Sequence, residues 1–131
     1  MKATALIGFG AALLALSGCV ELPPPTGAAL FAENCASCHG ADAKGGPVGG
    51  DGTMAPDLTR LAARHGGTYP AVYVMSTIDG LAREKTHGPM PIFGEMLQGP
   101  VETWTDPSGT PTPTPAALIR LNEYLEGQQG K

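Results

Sequence analysis

Cys35-Ala36-Ser37-Cys38-His39 sets two thiols three positions apart, with an imidazole directly after the second. Thiolates and imidazole nitrogens bind metals, paired thiols can carry redox equivalents, and C-x-x-C-H is the attachment signature of a c-type haem. The spacing suits the last of these. Thiols so placed can reach two vinyl groups on one side of a porphyrin, and the next residue can bring its imidazole under the iron. A structural zinc site needs four closed ligands, whereas His65 and His87 lie far along the chain and no second C-x-x-C is present. A thioredoxin-like dithiol sits in a βαβ context, and no β-branched strand pattern precedes Cys35. Covalent haem is the favoured chemistry, with zinc and a redox dithiol as the alternatives.

Such a cluster needs rigid elements around it. Thr26 can N-cap a helix over 27–35, on which Gly27, Phe31 and Cys35 recur at four-residue intervals along one face. Near the other end, Pro115 follows Thr114 at the first position of a helix over 115–126, with Leu118, Leu121, Tyr124 and Leu125 on one stripe. A third helix is predicted over 70–78, with Val72, Val74, Met75 and Ile78 as its apolar surface and Gly80 as its stop. A short helical stretch follows at 93–97. Residues 98–114, QGPVETWTDPSGTPTPT, are polar and proline-rich without a period, and read as a surface loop.

Together, the motif and its flanking helices resemble class I cytochrome c, over nearly all of residues 26–126. In that family a Gly and an aromatic residue of the N-terminal helix meet a Leu and an aromatic residue of the C-terminal helix; Gly27 and Phe31 match the first pair, Leu121 and Tyr124 the second. The resemblance implies an all-α class I cytochrome c fold around one covalent haem c, bound through Cys35 and Cys38 with His39 on the iron. It also implies that Pro56 lends its carbonyl to the His39 N–H and that Leu58 packs against the porphyrin. Pro47 is the rival acceptor. Met90-Pro91, preceded by Pro89, matches the axial methionine on its stiff loop. Met54 and His87 are the alternative axial ligands, and Met75 and Met96 read as packing residues. Trp104, the single tryptophan, could donate its indole N–H to a haem propionate or simply belong to the loop. His65, beside Gly66-Gly67, reads as a solvated loop histidine.

The start of the chain has a separate logic. Lys2 precedes an apolar run over 3–16 that is too short to span a bilayer comfortably and is flanked like an export signal. Leu16-Ser17-Gly18-Cys19 resembles the lipobox of bacterial lipoproteins. That resemblance divides the chain into a signal peptide at 1–18, a lipidated Cys19 with a proline-rich tether at 19–25, and a monohaem domain at 26–131. Two or more acyl chains hold a protein on a membrane where one is marginal. The expected address is the cell envelope, with the domain facing the periplasm; Val20 in place of Asp favours the outer membrane. With 19 Gly and 13 Pro in 131 residues, the chain is too loop-rich to build a large core unaided. A net charge of −4 argues against nucleic acid as a partner and favours a basic docking patch on a redox-protein partner. With His and Met both on the iron, electron transfer is the expected role and not enzymatic turnover. A haem subunit of an oxidoreductase complex and a gas-binding sensor are the alternatives.

Overall fold

The computed structural model describes residues 23–81 and 90–131. The chain order is α1 (Gly27–Asn34), α2 (Ala36–His39), β1 (Gly46–Val48), β2 (Thr53–Ala55), a 3-10 turn (Leu58–Arg60), α3 (Leu61–Arg64), α4 (Ala71–Asp79), β3 (Val101–Thr105), β4 (Pro111–Pro115) and α5 (Ala116–Glu126). Among the described residues no helix is long and apolar enough to cross a membrane.

The helices begin and end where side-chain chemistry requires. Thr26 Oγ1 accepts from Ala29 N–H at 3.2 Å, satisfying one of the donors orphaned at the start of α1. Gly80 closes α4 in the left-handed region, with φ +103° and its N–H on the Ser76 carbonyl. On α4, Val74, Met75 and Ile78 are buried, but Val72, expected among them, is 50 % exposed. Helix α5 starts one residue later than predicted, because Pro115 is the last residue of a strand and not the first of the helix.

The terminal helices cross at Gly27. A Cβ there would sit 2.7 Å from Tyr124 Cβ and overlap the Arg120 carbonyl, so only glycine permits this approach. Phe31, almost fully buried, packs its ring on Tyr124 with centroids 5.3 Å apart. Leu121 is equally buried beside them. Tyr69, just ahead of α4, ties that helix to α5: its hydroxyl lies 3.1 Å from both the backbone and side-chain oxygens of Asn122.

The all-α expectation holds only in part, because two antiparallel hairpins accompany the helices. The first pairs Gly46 with Ala55, Pro47 with Met54 and Val48 with Thr53. Gly49 and Gly52 supply positive φ for its turn, and Asp51 Oδ1 accepts from Thr53 N–H at 2.9 Å. The second takes up most of the predicted loop. Asp106 Oδ1 accepts from the N–H groups of Ser108 and Thr110, both at 2.8 Å, which folds the turn. Asp106 N–H bonds the Thr110 carbonyl, and alternation from that pair places the ladder bonds at Thr112 and Thr114. Pro111, Pro113 and Pro115 therefore fall where a strand residue's N–H points outward, the positions at which a missing donor costs nothing.

The stretch at 93–97 is a single turn and not a helix of its own: the Phe93 carbonyl accepts from Met96 and Leu97 N–H, both at 2.9 Å. It buries Phe93 and Leu97. The chain end is stitched under the 3-10 turn. Gln129 Nε2 donates to the Leu58 carbonyl, its Oε1 accepts from Ala62 N–H, and Gly130 N–H bonds the Thr59 carbonyl, each at 2.9 Å.

Candidate cofactor site

Helix α1 does not run on smoothly into α2. Cys35, with φ −120° and ψ −33°, is the joint between them, and its carbonyl accepts from Cys38 N–H at 3.1 Å and His39 N–H at 2.9 Å. One tight turn therefore carries the whole motif and sets Cys35 and Cys38 three apart on one face. Both are free thiols and half-buried. Burial pushes the Cys35 thiol up to about 11, and the neighbouring Cys38 adds to the shift, so this sulfur stays protonated at neutral pH.

His39 is buried, and its Nδ1 lies 3.0 Å from the Pro56 carbonyl oxygen. A carbonyl can only accept, so Nδ1 is the donor and Nε2 is the nitrogen left with the lone pair. The first hairpin delivers that carbonyl, since β2 runs directly into Pro56. Gly45, at φ +84°, lets the loop after the motif pass against the Ala55 carbonyl, where any Cβ would collide. Leu58 N–H then bonds the Ala43 carbonyl at 2.8 Å, which aims the 3-10 turn at the same space.

That space is a cavity of about 210 Å³, lined mostly by apolar atoms and open to solvent on one side. Cys35, Cys38, His39, Pro56, Leu58 and Met90, the residues singled out from the sequence, all line it. Met90 reaches it from a segment pinned to the end of α4: Phe93 N–H bonds the Ile78 carbonyl at 3.0 Å and Gly94 N–H the Asp79 carbonyl at 3.1 Å. Pro47, the rival acceptor, is exposed and paired with Met54 instead. Met75 is buried in the core as expected, whereas Met96, expected to pack, is 63 % exposed because its turn sends Phe93 and Leu97 inward. Met54 borders the cavity while being 64 % exposed. Trp104 is half-buried on β3 against the core and is not among the residues lining this cavity. His65, read as a solvated loop histidine, is exposed in the turn that closes α3; its Nδ1 lies 2.8 Å from the Leu61 carbonyl, and it borders the cavity beside Arg64 and Tyr73. Cys19 and His87 lie outside the described residues.

The Cytochrome c family profile matches residues 25–126, and the chain belongs to the cytochrome c family. A curated relative, the cbb3-type cytochrome c oxidase subunit FixP of Sinorhizobium medicae, is 42 % identical over 77 residues. The match covers 57 % of this chain and 22 % of the relative, so the chain spans only about a fifth of that protein's length. No solved structure gives a significant match. The family implies covalent haem c, and the residues present fit that group. An apolar cavity presents two thiols on one helical turn and an imidazole whose tautomer is set by a carbonyl, with a thioether on a separate segment. Among the described residues no group of three or more His, Cys, Asp or Glu side chains is arranged to hold a metal ion by itself.

Proposed function

We propose that this chain is a membrane-tethered electron-transfer protein that uses one covalent haem c, whose iron would be held by His39 and Met90. The carrying observation is the convergence of Cys35, Cys38, His39 and Met90 on one apolar cavity, with His39 Nδ1 held by the Pro56 carbonyl. When bound, the haem supplies a one-electron iron couple. The chain's own groups do the rest. Cys35 and Cys38 provide the thioether links, and the Pro56 carbonyl fixes the His39 tautomer and makes the imidazole a better donor. Leu58 and the other apolar lining residues exclude water. Thioether ligation and burial raise a haem's reduction potential, and an iron held by both His39 and Met90 would offer no position to a substrate. The chain is a carrier under this reading, and not an enzyme.

Membrane attachment rests on Leu16-Ser17-Gly18-Cys19, with residues 1–18 as the signal, 19–25 as the tether and 26–131 as the haem domain in the periplasm. The partners are redox proteins of the respiratory chain or other exported oxidoreductases. The similarity to an oxidase subunit favours a second reading, in which the domain is a fixed haem subunit of such a complex.

Absorption spectra of the reduced protein with and without carbon monoxide test the ligation: a spectrum unmoved by the gas is expected, and tight binding would shift the reading to a sensor or enzyme. Purification from solubilised membranes, with mass analysis of the N-terminus, tests the anchor and separates free carrier from subunit. An unmodified, fully soluble protein refutes the tether. A stoichiometric oxidase copurifying favours the second reading.

A further inference from the structure

The second hairpin treats its two free edges differently. Ala116 N–H bonds the Pro100 carbonyl and Asp106 N–H the Thr110 carbonyl, so the pairs that close the ribbon at either end are hydrogen-bonded ones. Alternation between them makes Glu102 with Thr114 and Trp104 with Thr112 the bonded pairs inside it. The backbone N–H and C=O groups of Val101, Thr103 and Thr105 therefore point away from β4, and among the described residues nothing pairs with them. On the opposite edge the matching positions are Pro111, Pro113 and Pro115, which have no N–H to offer. Proline or lysine along an edge blocks the addition of another strand. The β3 edge carries neither.

The side chains repeat the contrast. Trp104 and Thr114 turn toward the core, and Glu102 is paired with Arg120 of α5 at 3.2 Å. The other face, formed by Val101, Thr103, Thr105, Pro111 and Pro113, is exposed throughout and holds no charge. Such β-branched positions suit packing against a neighbouring strand.

We propose that β3 is a dimerisation edge, pairing antiparallel with β3 of a second copy of this chain about a two-fold axis at Thr103. In that register Thr103 faces Thr103 and Val101 faces Thr105, and every outward N–H and C=O of the strand gains a partner. A cross-strand Thr–Thr pair is itself favourable, and Glu102 falls opposite Trp104, so no like charges meet. A charged foreign strand finds no counter-charge here, because Glu102 is already engaged by Arg120; a second copy needs none. The prolines of β4 then lie on both outer edges of a four-stranded sheet, which can accept no further strand. The assembly closes at two copies, as an isologous contact does, and does not grow into a fibre. Pairing along five residues, about 17 Å of strand, buries less than the roughly 1,000 Å² of a stable interface. The dimer is accordingly weak and depends on concentration. It does not depend on which residues hold the iron.

Cysteine cross-linking of the intact, haem-loaded protein tests the register. Opposed residues of a hydrogen-bonded antiparallel pair have Cα atoms about 5.5 Å apart, within the span of a disulfide. Thr103→Cys should therefore cross-link to its own copy under mild oxidation, giving a haem-stained band at twice the monomer mass, whereas Pro113→Cys on the far edge should not. Equal cross-linking of the two, cross-linking of neither, or an adduct of Thr103→Cys with a different protein overturns the proposal. Sedimentation of the wild type should show a dimer fraction that rises with concentration. Thr103→Pro removes an outward N–H and no bond to β4, so it should keep haem and abolish the dimer. If that variant does not fold, Thr103→Lys, which sets two like charges at the axis, gives the same readout. A wild type that stays monomeric up to about 1 mM, or a dimer that persists in the folded variants, shows that the edge is not the contact.

Discussion

A carbonyl oxygen decides which nitrogen of His39 can act as a ligand. Because Pro56 offers only an acceptor, 3.0 Å from Nδ1, the imidazole keeps its lone pair on Nε2. Nothing so definite constrains Met90, whose placement depends on the segment after it being pinned to α4. Its role is therefore the one to test by substitution. Met90→Ala should retain covalent haem through Cys35 and Cys38, lose the sulfur-to-iron charge-transfer band of the oxidised protein, lower the potential and admit carbon monoxide. Met75→Ala, which empties core volume, should instead cost about 2–5 kcal/mol with the band intact. Met54→Ala, mostly exposed, should leave the band unchanged. Loss of the band in Met54→Ala and its retention in Met90→Ala would reverse the assignment. Tyr69 makes a different kind of claim. Burial raises its phenol above the usual value, with Glu126 adding to the shift. A folded-state pKa raised in this way favours the neutral phenol, so its contribution to stability is complete below about pH 10, the unfolded value, and declines as pH rises beyond it. Tyr69→Phe should lose about 1 kcal/mol at neutral pH, because Asn122 loses its donor, and should show a shallower decline at alkaline pH. Thermal melts of both proteins at neutral and alkaline pH measure this; parallel declines would place the alkaline sensitivity elsewhere.

Between elements, the tightest constraint is the crossing of α1 and α5. Gly27→Val would drive its side chain into the Arg120 backbone and Tyr124 Cβ, neither of which can rotate away. Overpacking of this kind costs about 1–3 kcal/mol, which for a domain of this size lowers the melting temperature by at least about 4 °C. An unchanged melt with haem attached would show that the helices do not meet there. That contact was legible in the sequence because helices announce themselves locally: Thr26 caps, Gly80 stops, and the apolar positions of α4 and α5 recur with helical period. The hairpins were not. Strand β4 reads Pro-Thr-Pro-Thr-Pro, a composition that argues against a strand, and becomes one only because pairing with β3 turns each proline outward. Residues 46–48 and 53–55 are too short and too glycine-flanked to show alternation. The site divides along the same line. Cys35, Cys38 and His39 are contiguous, and Pro56 and Met90 could be matched to a family pattern. Arg64, His65 and Tyr73 meet only when α3 and α4 fold around the cavity, and no local signal marks them.

At the scale of the whole molecule, the site sits where the centre of the core would be. Leu61, Val74, Ile78, Phe93 and Leu125 each turn one side to the buried cluster and border the cavity as well. Filling that cavity is therefore part of folding. An unfilled cavity costs about 24 cal/mol per Å³, and 210 Å³ comes to about 5 kcal/mol, an upper bound because one side opens to solvent. A domain of ordinary stability has about 5–15 kcal/mol in total. A loop-rich chain with so many Gly and Pro belongs near the lower end of that range, so the penalty is comparable to its entire margin. Chain produced with both thiols replaced, Cys35→Ala with Cys38→Ala, is expected to lose cooperative unfolding and near-ultraviolet circular dichroism while keeping part of its far-ultraviolet helical signal. The paired measurement is a calorimetric scan of the haem-loaded wild type, which should give a single sharp transition. If the thiol-free chain melted as cooperatively as the wild type while carrying no haem, the helices and hairpins would form a core of their own, and the cavity would be a site added to a finished fold and not the centre around which it closes.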